Sequence, residues 1–133
     1  MITAVDSSIL FDCFLPDPRY GPASKRALEG AYQEGSLILS EVVYAELGAF
    51  FEGIENLEET LLAVSLRLVP SSKKTLFEAG QYWKRYRRER GDRKRVLADF
   101  FVASHALHHA DRLLTRDRGF YRRFFKNLKV ISP

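Results

Sequence analysis

Four acidic residues stand at places in the sequence from which their carboxylates could meet. Asp6 closes a short apolar run at 2–5, and Asp117 follows a second run that begins at 112. Glu46 and Asp99 lie in early turns of two predicted helices. If the apolar runs are parallel strands, their carboxyl ends share the edge at which open α/β sheets carry their sites. We therefore expect the four carboxylates to converge at that edge.

Converging carboxylates have a definite chemistry. Like charges in one pocket repel and raise one another's pKa values unless a cation joins them. A set of oxygen ligands suits Mg²⁺ or Mn²⁺ better than zinc. Such an ion can activate water and neutralise charge that builds on a phosphate. The pattern therefore predicts a divalent-metal site suited to phosphate chemistry.

Asp99 is expected on the apolar face of its helix. The face follows a 3.6-residue repeat through Asp99, Val102, Ala103, Ala106 and Ala110, whose small side chains let a helix lie close to a sheet. A carboxylate buried there should be protonated, paired or bound to a metal. The alternative is an acid that only interacts with the helix dipole, since acids are common in first turns.

Glu46 is predicted to be enclosed by apolar neighbours. Residues 42, 43, 49 and 50, all apolar, lie three or four positions away and share its helical face. Glu41, by contrast, follows the predicted N-cap Ser40, and the helix dipole explains it.

Short apolar segments alternate with longer helical patterns, without hairpin turn signals between them. This alternation predicts a parallel α/β sheet with right-handed crossovers, in one domain over residues 1–133. The predicted strands are 2–5, 37–39, 67–69, 112–116 and 129–132. The predicted helices are 7–15, 22–35, 41–51, 56–65, 71–90, 97–110 and 117–125, with Ser7 as the cap of the first.

Composition excludes several classes of protein. No apolar stretch of about 18 residues occurs, so no membrane-spanning helix is expected. The chain reaches Asp6 too early for the opening residues to be a signal peptide. Cys13, the only cysteine, cannot form an internal disulfide or a structural zinc site, and we expect it to be a small buried residue. These features indicate a soluble, cytoplasmic protein.

Basic charge is concentrated in one segment. Residues 84–95, KRYRRERGDRKR, contain eight basic and two acidic side chains, a local +6 in a chain of net charge +4. The segment could be a solvated helix end, the usual case for a charge run, or a surface for phosphates. Its basic side chains are Lys84, Arg85, Arg87, Arg88, Arg90, Arg93, Lys94 and Arg95.

Two other patterns favour structural roles. The predicted inner stripe of helix 71–90 consists of Leu76, Ala79, Trp83 and Tyr86. Its aromatic rings are therefore expected in the core rather than as stacking platforms. His105 and His109 are four residues apart on a helix, but no third zinc ligand accompanies them, so surface or capping histidines are expected.

The four acids lie in four short motifs: VDSSIL at 5–10, SEVVYAEL at 40–47, ADFFVASHA at 98–106 and LLTRDRGF at 113–120. In order and spacing these motifs resemble those of the PIN-domain ribonucleases, most closely the VapC-type toxins of prokaryotic toxin–antitoxin pairs. The resemblance implies that the catalytic metal ligands are Asp6, Glu46, Asp99 and Asp117. It also implies that Ser7 or Thr115 supports them.

The same resemblance implies a three-layer α/β/α fold with a central parallel sheet of four to five short strands. It further implies Mg²⁺- or Mn²⁺-dependent cleavage of RNA, a homodimer, and inhibition by a small antitoxin. The basic segment would then position the RNA. The alternative is a noncatalytic PIN-fold module that binds RNA or a partner. The intact acids argue against it, because converging carboxylates without a metal cost stability and repel RNA.

Other phosphate-handling families lack their signatures here. A haloacid-dehalogenase-type phosphatase needs a second Asp two residues after its nucleophile, where this chain has Ser8. A phosphate-receiver domain needs an acid pair near the first strand and a lysine after the last catalytic strand, and neither is present. No GxGxxG or GxxxxGK sequence supports nucleotide binding.

Overall fold

The computed structural model describes residues 1–15, 17–90, 95–117 and 119–133, and of Arg90 only the backbone. In these residues five strands alternate with seven helices. The strands are β1 (Ile2–Val5), β2 (Ser36–Leu39), β3 (Leu66–Leu68), β4 (Arg112–Leu114) and β5 (Val130–Ile131). The helices are α1 (Ser7–Phe14), α2 (Gly21–Glu34), α3 (Glu41–Gly48), α4 (Ile54–Ala63), α5 (Lys73–Arg90), α6 (Leu97–His109) and α7 (Phe120–Phe124).

The strands form one parallel sheet in the order β3-β2-β1-β4-β5. Ala4 in the middle of β1 aligns with Ile38 on one side and with Leu113 on the other. The chain runs from β1 outward through β2 and β3, and then returns to the opposite side of β1 for β4. The carboxyl ends of β1 and β4 therefore flank the point at which the strand order reverses, where open α/β sheets bind ligands. The predicted α/β/α fold with a parallel central sheet is confirmed.

Burial explains why the strand segments are short and continuously apolar. The last three residues of β1 and of β2, and all of β4, are buried. Parallel strands covered by helices on both faces have this pattern. None of the helices that the described residues form combines the length and apolarity needed to span a membrane.

Aromatic rings hold together the helices nearest the reversal point. Phe100, in the first turn of α6, is fully buried, and its ring centroid lies 5.5 Å from that of Tyr86 and 5.4 Å from that of Phe120. Phe124 and Phe125 pack against the same ring. Such tilted and edge-to-face contacts are favourable. They fix α5, α6 and α7 relative to one another, and so fix the first turn of α6.

The structure corrects the predicted start of α1 and the ends of two other elements. Asp6, not Ser7, caps α1, because Asp6 Oδ1 accepts a hydrogen bond from the Ser7 N–H at 2.8 Å. Helix α3 ends at Gly48 rather than at 51, and β4 ends at Leu114 rather than at 116. Cys13, predicted to be buried, is half-buried on α1.

The inner stripe of α5 begins one position earlier than predicted. Thr75 is buried, and its Oγ1 lies 3.0 Å from His109 Nε2, whereas Leu76 is exposed. A polar residue takes the inner position here because a partner on α6 satisfies its hydroxyl group. Tyr86 is buried as predicted, and Trp83 is half-buried.

Candidate active site

A cavity of about 300 Å³ opens at the carboxyl ends of β1 and β4. All four predicted acids line it, and they come from four different elements. Asp6 follows β1, Glu46 lies in the last turn of α3, Asp99 in the first turn of α6, and Asp117 after β4. The other lining residues are Ser7, Ser8, Arg95, Val96, Ala98, Val102, Arg116 and Tyr121.

Asp6 is the most deeply buried of the four acids. It is 9% exposed, and both of its carboxylate oxygens accept hydrogen bonds. Ser7 N donates to Oδ1, and the buried Thr115 Oγ1 donates to Oδ2 at 2.7 Å. The same Thr115 oxygen accepts from the N–H of Asp117 at 3.0 Å. Thr115 thus links the two strand-end acids and fixes the direction of the Asp6 carboxylate.

Asp99 contributes both to the cavity and to the start of its own helix. Its Oδ2 accepts a hydrogen bond from the N–H of Val96, the N-cap residue of α6, at 3.2 Å. The acid therefore satisfies one free backbone donor at the start of the helix, and it also lines the cavity.

Asp117 is already engaged on both oxygens. Oδ1 accepts from the N–H groups of Gly119 and Phe120, at 3.1 and 2.9 Å, which shapes the entry into α7. Oδ2 pairs with Arg95 Nη2 at 2.9 Å. The Arg95 guanidinium also lies over the Phe120 ring, 4.4 Å from its centroid. A basic side chain from this chain therefore stands inside the acidic cavity.

Glu46 is at the mouth of the cavity, and its predicted apolar enclosure is wrong. Its side chain is exposed, as are Ala49 and Phe50 after it. The prediction failed because α3 ends at Gly48, so the following residues do not continue the helical face. A hydrogen bond with the Ser7 hydroxyl opposes the rise in the pKa of Glu46 that partial burial causes.

Burial and mutual repulsion raise the pKa values of three acids in the cavity. Burial raises the pKa of Asp6, of Glu46 and of Asp99. Asp99 and Asp117 add to the rise at Asp6, which the hydrogen bonds from Thr115 and the Ser7 backbone oppose. Bringing a cation into the cavity would remove this repulsion.

The donor set fits a divalent cation in chemistry but not in spacing. All four acids offer carboxylate oxygens, which Mg²⁺ and Mn²⁺ favour. Within residues 1–15, 17–90, 95–117 and 119–133, however, no three His, Cys, Asp or Glu side chains are close enough together to hold an ion. Coordination of one ion by all four acids would therefore require the carboxylates to move closer together and Asp117 to release Arg95.

A family model described as "PIN domain" matches residues 3–125. The chain belongs to the PIN domain family. This PIN domain is also similar in fold to several solved toxin–antitoxin complexes. VapBC2 from Rickettsia felis, bound to a DNA fragment from its promoter, is 22% identical, with a TM-score of 0.76 over 99% of this chain and 98% of that chain. VapBC-1 from nontypeable Haemophilus influenzae is 21% identical, with a TM-score of 0.73 over 99% and 98%.

A toxin–antitoxin complex from Klebsiella pneumoniae is 19% identical, with a TM-score of 0.70 over 97% of this chain and 95% of that chain. No curated protein sequence matches the chain. At these identities the solved structures show the fold alone, while the family match covers all four acidic positions.

The basic segment of this PIN domain lies only partly within the described residues. Its exposed members on the last turns of α5 are Lys84, Arg85, Arg87 and Arg88. Two of them lie over aromatic rings, Arg85 over Tyr82 and Phe124 and Arg87 over Trp83. Arg93, Lys94 and the Arg90 side chain fall outside the described residues, and Arg95 points into the acidic cavity instead.

Sequence reasoning missed several residues that line the cavity, and Tyr121 and Arg116 are the two with large polar side chains. Tyr121 of α7 is buried at 3% exposure, and burial, together with the charges of Asp6, Asp99 and Asp117, raises the pKa of its phenol. Arg116, between Thr115 and Asp117 in the fourth motif, also lines the cavity. Its position inside the fourth acidic motif is the sequence feature that could have pointed to it.

The histidine and Glu41 predictions also need correction. His105 is buried, and its Nε2 lies 2.7 Å from the carbonyl oxygen of Val69, so it is a core residue rather than a surface one. Burial lowers the pKa of His105. Glu41 does more than interact with the helix dipole, because it accepts hydrogen bonds from the Ser71 N–H and hydroxyl group.

Proposed function

We propose that this PIN domain is an endoribonuclease that depends on Mg²⁺ or Mn²⁺ and hydrolyses RNA phosphodiester bonds as the toxin of a toxin–antitoxin pair. The proposal treats residues 1–133 as one nuclease domain acting in the cytoplasm. The observation that carries it is the meeting of four carboxylates from four elements in one cavity at the strand-order reversal. Membership of the PIN family, whose proteins are generally nucleases, supports the reaction class.

Asp6 and Asp99 are the central metal ligands in this proposal, and Glu46 and Asp117 complete the site or orient water. A bound divalent ion would activate water and offset charge on the phosphate. Thr115 holds one Asp6 oxygen and thereby presents the other lone pairs to the cavity. Ser7 acts similarly on Glu46. Both hydroxyl groups therefore orient ligands.

The experiment is a metal titration of RNA cleavage. The purified protein should be inactive in EDTA, and Mg²⁺ or Mn²⁺ should restore hydrolysis, whereas Ca²⁺ should support RNA binding with little cleavage. Cleavage that is undiminished in EDTA would contradict the proposed chemistry.

RNA is held, in this proposal, through phosphate contacts of the basic segment rather than by base reading. Arg87 and Arg88 are exposed on the end of α5, the segment that leads into the first turn of α6 and Asp99. Neutralising Arg87, Arg88 and Arg90 together should weaken binding similarly for different RNA sequences and flatten its salt dependence. An unchanged salt slope would make the segment a solvated helix end.

A small antitoxin is the proposed partner, and its arginine or lysine would enter the acidic cavity. A guanidinium can bridge two carboxylates and displace a cation electrostatically. Arg95, which pairs with the single carboxylate of Asp117, already places one guanidinium among these acids. If the partner acts in this way, raising Mn²⁺ or replacing its basic residue should partly restore cleavage by the complex. Inhibition that responds to neither change would place the partner elsewhere.

The proposed docking surface for that partner is apolar and is formed by α1 and the residues just after α3. Phe11 and Phe50 meet with ring centroids 4.8 Å apart, and Phe14 and Phe51 with centroids 6.3 Å apart. Phe50 nevertheless remains 58% exposed. We also propose a homodimer, on the family resemblance, which sedimentation of the purified protein checks.

The second candidate function is a noncatalytic PIN-fold module that binds RNA or a partner. The Arg95–Asp117 pair and the spacing of the carboxylates favour it, because an ion must displace that pair to use all four acids. A thermal midpoint that does not respond to Mn²⁺, together with RNA binding that does not need metal, would select this function.

A further inference from the structure

Arg116, which lines the acidic cavity, is held in place by several contacts. Its Nε and Nη2 donate to Asp12 Oδ2 and Oδ1 at 2.8 and 3.0 Å, a bidentate pair. Its guanidinium carbon lies 4.0 Å from the centroid of the Tyr20 ring. A planar guanidinium held along one edge and stacked on one face has little freedom to move.

The support beneath Arg116 is itself buried and hydrogen-bonded. Asp12 is 4% exposed, and Ser24, which is fully buried, donates its hydroxyl to Asp12 Oδ2 at 2.7 Å. At the main chain, the N–H of Arg116 donates to Ser8 Oγ at 3.2 Å. Residues from α1, α2 and the β4 end therefore combine to fix one side chain.

The Asp12 pair leaves part of the guanidinium free to act elsewhere. Arginine carries five N–H donors in a fixed fork, and the two hydrogen bonds to Asp12 use Nε and one hydrogen of Nη2. The two N–H groups of Nη1 lie outside that pair. About a third of the Arg116 side chain is accessible, whereas Asp12 is enclosed, and Arg116 forms part of the cavity wall. The exposed edge of the pair is thus its positive edge.

The positive charge of Arg116 lies beside four carboxylates that would repel an RNA phosphate. A polyanion that approaches the cavity meets their combined negative potential. Arg95, which also lines the cavity, is paired with Asp117. Arg116 pairs with Asp12, which is not one of the four acids, and about a third of its side chain stays accessible. Asp17 adds a second, weaker negative charge near the guanidinium.

We propose that Arg116 is a substrate-binding residue, which donates through Nη1 to a non-bridging oxygen of one RNA backbone phosphate beside the cleaved bond. Asp12, Ser24 and Tyr20 are positioning residues that act through it. The inference rests on the proposed ribonuclease function, and it differs from the role of the basic segment. Contacts of the segment are spread over several phosphates, whereas a fixed guanidinium selects one register of the strand.

The test measures binding of a short single-stranded RNA in Ca²⁺, with a neutral methylphosphonate placed at each linkage in turn. For the unaltered protein, one linkage should stand out, with binding weakened about tenfold, as loss of a hydrogen bond to a charged group predicts. In Arg116→Gln the same replacement should cost less than about twofold, because the contact is already absent. Arg26→Gln, an exposed arginine on α2 outside the cavity, is the matched control and should keep the full profile.

Arg116→Lys covers the case in which Arg116→Gln does not fold, since lysine keeps a cation against Asp12. It should retain the fold and lose most of the selective linkage effect, because an ammonium cannot serve Asp12 and the phosphate in the fork geometry. Asp12→Asn should broaden the effect over neighbouring linkages. A methylphosphonate profile unchanged in Arg116→Gln or Arg116→Lys would overturn the inference and leave a purely structural pair. Absence of metal-dependent cleavage by the unaltered protein would instead contradict the proposed function, while the binding profile would still report on Arg116.

Discussion

Asp99→Asn should stabilise the protein in the absence of metal and make it less stable than the unaltered protein when Mn²⁺ is added. Without metal, the substitution removes the Asp99 carboxylate, whose pKa is raised by burial and by the charge of Asp117. One unit of pKa shift corresponds to about 1.4 kcal/mol, but Asp99 is partly exposed and water screens part of that cost. We therefore expect a gain of roughly 0.5 kcal/mol, or about 2 °C in the midpoint. The Asn carbonyl can still accept the hydrogen bond from the Val96 N–H.

With Mn²⁺ the unaltered protein should become more stable than Asp99→Asn. A ligand at about 100 times its Kd stabilises the folded state by about 2.7 kcal/mol, which raises the midpoint of a domain of this size by roughly 10 °C. Asp99→Asn loses a proposed ligand, so its midpoint should rise far less. Differential scanning fluorimetry at neutral pH, with and without Mn²⁺, measures both effects. Glu52→Gln, an exposed acid outside the cavity, should follow the unaltered protein in both conditions.

The pH dependence of the metal-free difference has a defined sign. The folded-state pKa values of Asp6, Glu46 and Asp99 lie above their unfolded values, so the folded protein binds more protons in between. The stability cost of ionising these carboxyl groups is absent below their unfolded-state pKa values and grows as the pH rises through their folded-state pKa values. The advantage of Asp99→Asn should therefore shrink on acidification towards the ordinary Asp value of 3.8. Equal Mn²⁺ shifts in the variant and the unaltered protein would refute this reasoning.

Three further outcomes are expected. Thr115→Val removes the donor to Asp6 Oδ2. It should reduce metal-dependent cleavage about tenfold and lower the free energy of unfolding by about 1–3 kcal/mol, as measured by cleavage kinetics and urea unfolding. Full activity would show that Asp6 needs no such support. Arg95→Gln releases Asp117 Oδ2 and should lower the Mn²⁺ concentration at half-maximal thermal shift, whereas an increase would show that Arg95 assists the ion. Phe100→Ala removes a fully buried ring and should cost about 3–5 kcal/mol in urea unfolding, and a loss below about 1 kcal/mol would mean that the aromatic cluster is not what fixes α6.

The sequence predicts the sheet and the meeting of the acids because both follow from local rules. Short apolar segments separated by helices leave a parallel sheet as the simplest arrangement, and residues that follow its strands reach one edge. Asp6 and Asp117 could therefore be placed from their positions after β1 and β4. The order β3-β2-β1-β4-β5, which puts those two strands side by side, is a property of the whole chain.

The failures have equally local causes. The environment of Glu46 was mispredicted because helical spacing was extended past the true end of α3 at Gly48. Burial of His105 depends on the Val69 carbonyl group, which lies on a distant segment. The Arg116–Asp12 pair joins residues 104 positions apart, and no periodicity signals it. Contacts of this kind require the folded coordinates.

The most direct test of the proposed ribonuclease is cleavage of RNA by a matched pair of variants, Asp99→Asn and Glu52→Gln, at saturating Mn²⁺. Both lose one carboxylate charge, but only Asp99 lines the cavity. We predict that Glu52→Gln cleaves like the unaltered protein, while Asp99→Asn stays folded and loses cleavage by a factor of about 100 or more, equivalent to roughly 2.7 kcal/mol of transition-state stabilisation. Undiminished metal-dependent cleavage by folded Asp99→Asn would contradict the assignment of the cavity as the active site.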